Sequence, residues 1–179
     1  MGKRDDIIKV AAKLIRENGY HNIGIKSILD ELSIPKGSFY HYFKSKEELG
    51  LAIIDIYTSM LKKRIEEQDH SLDGLKRLFN IYFDQLLSRD MKNGCPVGNL
   101  ILELSDENET FRHKLLDWYN YLENWTIDVL KNESIKDAEK KAKVLISAFE
   151  GAMLISKLDK DAVHFELFNE ITFNAIVNQ

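Results

Sequence analysis

Residues 33–49 read SIPKGSFYHYFKSKEEL, and their side chains suit contact with a polyanion better than a bond-making reaction. On a helix, Phe39 and Phe43 fall at i and i+4 and turn inward together. Gly37, Ser38, Tyr40 and His41 then occupy the opposite arc, with Tyr42 on its flank. That arc offers hydrogen-bond donors and flat rings, and no acid. Gly37 leaves room for a backbone to approach a partner closely, and Ser38 can donate or accept at a base edge. Lys46 adds positive charge at the start of a following helix, where exposed N–H groups also favour a phosphate. Tyr42 serves equally well as a packing residue. A short helix of this make-up fits a DNA groove.

The element before it supports this use. Ile25, Ile28, Leu29 and Leu32 mark one face of a short helix that also carries Lys26, and Ser33-Ile34-Pro35 is a three-residue turn. Two short helices joined in this way form a helix-turn-helix.

Other chemistry is absent from the pattern. The five histidines, His21, His41, His70, His113 and His164, stand at no metal-ligand spacing from Cys or carboxylate. There is no phosphate-binding glycine loop and no nucleophile elbow, so neither catalytic nor metal residues are assigned and no cofactor is expected. The alternative is a small helical enzyme using Cys95, but no histidine stands in sequence context to activate that thiol. Pairs such as Glu47-Glu48 and Glu66-Glu67 read as solvated helix faces.

The 179 residues are 44% apolar and 30% charged, with two prolines and nine glycines, the profile of a soluble globular chain with a real core. One cysteine excludes an internal disulfide and fits a reducing cytoplasm. No apolar run reaches the ~18 residues of a membrane helix, and MGKRDDIIK lacks the core of an export signal. Charge is unevenly spread. Residues 1–46 hold nine Lys/Arg against five Asp/Glu, net +4, and the remainder holds sixteen against twenty-four, net −8. A basic head on an acidic body suits a DNA reader with a regulatory body.

Every segment reads as helix, about nine in all. The first spans about 4–18 and stops at Gly19. The fourth opens with a capping box, Ser45 with Glu48, and Leu49, Ile53, Ile56 and Met60 carry it to about Glu67. Leu75, Leu78, Phe79, Tyr82, Phe83 and Leu86 define the fifth. Pro96 opens the sixth, followed by Val97, Leu100, Ile101 and Leu104. Phe111, Leu115, Trp118, Leu122, Trp125 and Val129 mark the seventh. Ser134 with Asp137 resembles a capping box opening the eighth, which has Ala142, Leu145, Ile146, Phe149 and Met153. Phe165, Phe168, Thr172 and Ala175 mark the last. The fold class is therefore all-α, with a domain boundary near Leu49: a DNA-binding head over 1–48 and a helical body over 49–179.

Residues 4–50 resemble the DNA-binding domain of the TetR family of bacterial transcriptional repressors. The resemblance rests on Ile7 to Ile15, Gly19-Tyr20, Ile25 to Leu32 and above all PKGSFYHYFKSKEEL. Gly24 stands where many members place a capping Thr, and Ser33 where the family usually has Gly. The resemblance implies that Lys36 lies at the groove entrance, that Tyr40 contacts phosphate, and that the chain is a cytoplasmic, nucleoid-associated regulator of double-stranded operator DNA. It further implies a homodimer joined by the last two helices, where Ala148, Gly151 and Ala152, with Phe165, Phe168 and Thr172, would meet their copies. The alternative for Gly151 is relief of crowding within one subunit.

A small-molecule inducer held in the body is implied as well. Tyr57, Phe83, Trp118, Tyr121, Trp125 and Phe149 are its candidate lining, though an aromatic stripe at helical spacing also makes plain core. Asn99 and Glu103 lie at i and i+4 beside the apolar face of the sixth helix, and if buried they need partners. GCPVGNL resembles a branch of the family whose sixth helix begins with Cys and a Gly-Asn pair. Cys95 is then either a thiolate favoured by the helix N-terminus, open to an electrophilic inducer, or a small buried filler. A competing function is a helical interaction module that keeps the head but acts through a protein partner.

Overall fold

The computed structural model describes residues 2–178, and among these it contains nine helical stretches and no strand. Among these residues the chain divides into two compact units, 2–59 with 99–118, and 60–98 with 119–178.

In the first unit, α1 (Lys3–Asn18) buries Ile7, Ile8, Ala11 and Ile15, one stripe at helical spacing, and ends at Gly19 with φ 90°. Helix α2 (Ile25–Leu32) starts at Gly24, which contributes no side-chain cap, and stops at Ser33 in the left-handed region with φ 54°. Helix α3 (Lys36–Tyr42) follows, ending at the extended Phe43. Phe39 and Phe43 are buried, 5.6 Å apart between ring centroids, and anchor the back of α3 as their spacing requires.

Helix α4 (Lys46–Glu66) is capped from both sides. Ser45 Oγ accepts from the Glu48 N–H, and Glu48 Oε2 accepts from the Lys44 N–H. The reciprocal bond of the expected box thus falls one residue early. Leu49, Ala52, Ile53 and Ile54 are its buried residues in this unit. Ile56 is only half-buried, so the apolar face is turned from the predicted one.

The second unit takes Met60–Glu66 from α4, and there Met60 is exposed while Leu61 and Ile65 are buried. Helix α5 (Leu72–Leu87) is capped by Ser71 and buries all six of the apolar residues read from its sequence. Helix α6 (Pro96–Leu104) begins at Pro96 as predicted, and α7 spans Glu109–Asn132; both contribute residues to each unit. Helix α8 (Ala138–Asp159) begins without the predicted box. Ser134, with φ 58°, instead closes α7: its N–H donates to Lys131 O, and the Ile135 N–H to Leu130 O. Asp137 also has positive φ and makes no capping bond, because a left-handed residue cannot aim its carboxylate back at the first turn.

The ninth stretch, α9, is composite, with Val163–Leu167 leading through π-helical Phe168–Phe173 into Asn174–Val177. The wider π turn moves the buried face one residue along. Phe165, Phe168, Phe173 and Val177 are buried, whereas Thr172 is half-buried and Ala175 exposed, correcting the predicted face. No helix among the described residues is long and apolar enough to cross a membrane.

Candidate nucleic-acid interface and regulatory site

The exposed arc of α3 is the candidate interface. Lys36, Gly37, Tyr40 and His41 are exposed, Ser38 and Tyr42 are half-buried, and Lys26 is exposed on α2. Tyr40 is 52% exposed although its ring packs edge-on against Phe39. A large ring held that far out of the core by a rigid neighbour is poised for an external partner. His41 packs edge-on against Tyr42, with centroids 4.9 Å apart, so the flank ring has a packing role too. A Cβ added to Gly37 would meet nothing within 4 Å. Steric crowding within the subunit therefore does not demand glycine there.

Lys46 has an internal role that its sequence position did not reveal. Its Nζ donates to Tyr20 O at 2.6 Å and lies 4.3 Å from the Tyr20 ring centroid. Burial lowers its pKa below the usual lysine range, partly offset by the charge of Glu103. Tyr20 itself is buried, and burial with the charges of Glu47 and Glu107 pushes its phenol up to about 12. The Lys46 ammonium thus ties the α1–α2 turn to the start of α4.

The candidate ligand residues are dispersed. Tyr57, Asn99, Glu103 and Trp118 belong to the first unit, where Trp118 is buried and the other three are half-buried. Glu103 has its partners in the head: Oε2 accepts from the Tyr20 N–H at 2.8 Å and the His21 N–H at 3.3 Å. Phe83, Trp125 and Phe149 are buried in the second unit, and Lys62 lies over the half-buried Tyr121 ring. Phe83 stacks on Phe165 at 4.3 Å and touches Phe149 and Phe168. These rings are core to one another, as a helical aromatic stripe usually is.

Cys95 is buried, and burial, followed by the charge of Glu150, holds its thiol well above the ordinary value. The Gly98 N–H does donate to Sγ at 3.3 Å, as expected at a helix start, but desolvation outweighs it. Of the two readings of Cys95, the buried filler fits this environment and the thiolate does not. Around the thiol stands a polar cluster the sequence did not single out. Glu150 is hydrogen-bonded to Cys95, its Oε1 is buried without a partner, and burial raises its pKa. A side chain at Gly98 would come within 2.8 Å of Glu150 Oε2. Nearby, Arg64 lies 4.5 Å over the buried Tyr82 ring. Glu150 follows Phe149 in an otherwise apolar stripe, so periodicity gave no signal for it. No group of side chains among the described residues could hold a metal ion.

On the outer side of α8 and α9 lies a shallow cleft of about 180 Å³, lined by Ala148, Gly151, Ala152, Ile155, His164, Leu167, Phe168 and Thr172. A Cβ at Gly151 would meet nothing within 4 Å, so crowding within the subunit does not account for this glycine. Exposed Val144, Ile155, Leu158, Val163, Leu167 and Ile171 extend the apolar surface along both helices. Phe165 and Phe168, expected at the outer contact, are buried in the aromatic core, and Phe168 also lines the cleft.

Residues 7–53 match the family described as bacterial regulatory proteins, tetR family, and residues 71–170 match the C-terminal domain of LmrA/YxaF-like transcriptional regulators. An uncharacterised HTH-type transcriptional regulator in the lacX 3′ region of Lactococcus lactis subsp. lactis is 30% identical over 166 residues, 88% of this chain and 85% of its own. The HTH-type transcriptional repressor DhaR of Mycobacterium sp. strain GP1 is 27% identical over 97% of this chain and 92% of its own. Among solved structures, the regulatory protein TetR from Rhodobacter sphaeroides superposes with TM-score 0.86 at 24% identity, covering 95% of this chain and 96% of that one. The reduced form of Escherichia coli NemR gives 0.80 at 23%, covering 99% and 96%.

Proposed function

This chain belongs to the TetR family of bacterial regulatory proteins, and from that premise we propose that it is a homodimeric repressor that reads a palindromic operator and releases it on binding a small molecule. The family is one of transcriptional regulators, not of enzymes. The observation that carries the reading is the outer arc of α3, where Tyr40 is held out of the core beside a glycine that steric crowding does not demand. Lys26, Lys36, Ser38, His41 and Tyr42 complete the surface, with the exposed ring and cations set for phosphate and the smaller groups for base edges. The head is the segment 1–48, the body 49–179, and the site of action the bacterial cytoplasm, on chromosomal DNA.

Dimerisation is assigned to the cleft and apolar margin of α8 and α9, with Ala148, Gly151, Ala152 and Thr172 at the close approach. Two heads on a two-fold axis read half-sites about 34 Å apart, one turn of DNA, or a small multiple of that. Tyr121, Cys95 and Glu150, all of the second unit, are the candidate polar lining for the inducer. Reversible binding is better supported than attack by an electrophile, since burial keeps Cys95 protonated and shielded. Gel-shift titration with the DNA flanking its own gene tests the reading. A sequence-specific shift supports it, and binding no tighter than to unrelated DNA favours a module acting through a protein partner. Comparing wild type with Cys95→Ser against a thiol-reactive compound separates the inducer chemistries: equal release, or none, by both leaves the thiol out.

A further inference from the structure

The turn between α1 and α2 is gripped from a distant part of the sequence. Glu103, in the last turn of α6, accepts from two successive backbone N–H groups, those of Tyr20 and His21. The His21 ring reaches the same corner, with Nε2 3.4 Å from Glu103 O and 3.3 Å from Glu107 Oε2. Gly19 has φ 90°, and a Cβ there would lie 3.2 Å from Glu103 Oε2. The tight turn and the carboxylate therefore fit each other. Lys46 closes the far side of the turn through Tyr20 O, and the Tyr20 ring packs edge-on against Phe111 of α7. Gly50 makes room for both rings, since its Cβ would come within 2.9 Å of each. Lys114 of α7 also pairs with Asp55 of α4 at 2.6 Å. Residues 99–118 accordingly fall in the same compact unit as the helix-turn-helix.

We propose that Glu103 is a positioning residue for DNA reading: its carboxylate fixes the Gly19–His21 turn to the α6–α7 corner, so that the end of α6 and the recognition helix form one piece. A carboxylate on paired backbone N–H groups is a strong, directional contact. The inference rests on the DNA-binding reading.

The test compares full-length wild type, Glu103→Gln and Glu103→Ala by amide hydrogen exchange and by gel shift with the DNA flanking its own gene. Exchange at Tyr20 and His21 should rise about tenfold or more in Glu103→Ala and by less in Glu103→Gln, whose amide oxygen still accepts. DNA affinity should fall in the same order, again about tenfold for Ala, with the salt slope unchanged because Glu103 touches no phosphate. The sign is diagnostic. Removing an acid from a DNA-binding unit would by charge alone tighten binding. Unchanged or tighter binding, or unchanged exchange at the two amides, overturns the proposal. If wild type itself fails to shift the fragment, the DNA-binding reading fails first and takes this inference with it. That failure is recognised because the wild-type lane, not the variants, shows it.

Discussion

Gly37 and Glu150 show how one residue reveals a demand from outside the fold. Gly37 sits inside a helix, where glycine costs about 0.5–1 kcal/mol against alanine, and no neighbour requires it. Gly37→Ala should raise thermal stability by about that amount while weakening operator binding, with thermal unfolding and gel shift moving in opposite directions. Weaker folding would place the reason for glycine within the subunit. Glu150 presents the reverse case, a buried carboxyl with one oxygen unpartnered and its pKa raised by burial. The folded chain keeps a proton that the unfolded chain loses near the ordinary glutamate value of about 4.3. Its contribution to stability is full below that pH and is lost as pH rises through the raised value. Glu150→Gln should therefore melt with wild type near pH 4 and above it near pH 8. An equal slope in both proteins would show that another group carries the dependence.

Among the elements, α2 carries a strain that one substitution relieves. Ser33 holds φ 54°, a left-handed conformation that costs a non-glycine residue about 1 kcal/mol. Ser33→Gly should stabilise the head by about 0.5–1 kcal/mol, read from the melting midpoint, and no gain would mean that the Ser33 side chain offsets the strain. The position shows what local sequence could tell: the helix stop was legible from spacing, though the residue departs from the usual one. α5 was legible in full, because one buried stripe repeated six times leaves no other face. α9 was legible only up to Phe168, since the π turn that swaps Thr172 for Phe173 breaks the period on which the reading relied. Ser134 and Asp137 have the residues of a capping box, but their left-handed backbones serve the end of α7 and the connection instead. Glu103 was visible as an acid needing a partner. That partner stands more than eighty residues away in sequence, which no local pattern encodes. The same limit hid the inward turn of Lys46.

For the whole molecule, the proposed reading of an operator calls for a second copy. The cleft along α8 and α9 leaves Gly151 open and a row of large apolar side chains exposed, a surface better explained by a partner than by solvent. Because a side chain at Gly151 meets nothing within the subunit, Gly151→Leu should leave the monomer folded. It should weaken the dimer by the 1–3 kcal/mol typical of overpacking, about 10- to 100-fold in dissociation constant. Sedimentation at a series of concentrations reads this directly, and an unshifted equilibrium would move the interface elsewhere.

Whether the outer arc of α3 reads DNA is decided by footprinting on the DNA flanking its own gene, with wild type beside Tyr40→Ala. Two protected half-sites are expected, related by a two-fold axis and about one helical turn apart. In Tyr40→Ala the same footprint should appear only at about tenfold or more higher protein concentration, with a shallower salt dependence. No footprint from wild type, or one that Tyr40→Ala reproduces at equal concentration and salt slope, would contradict DNA reading by this arc.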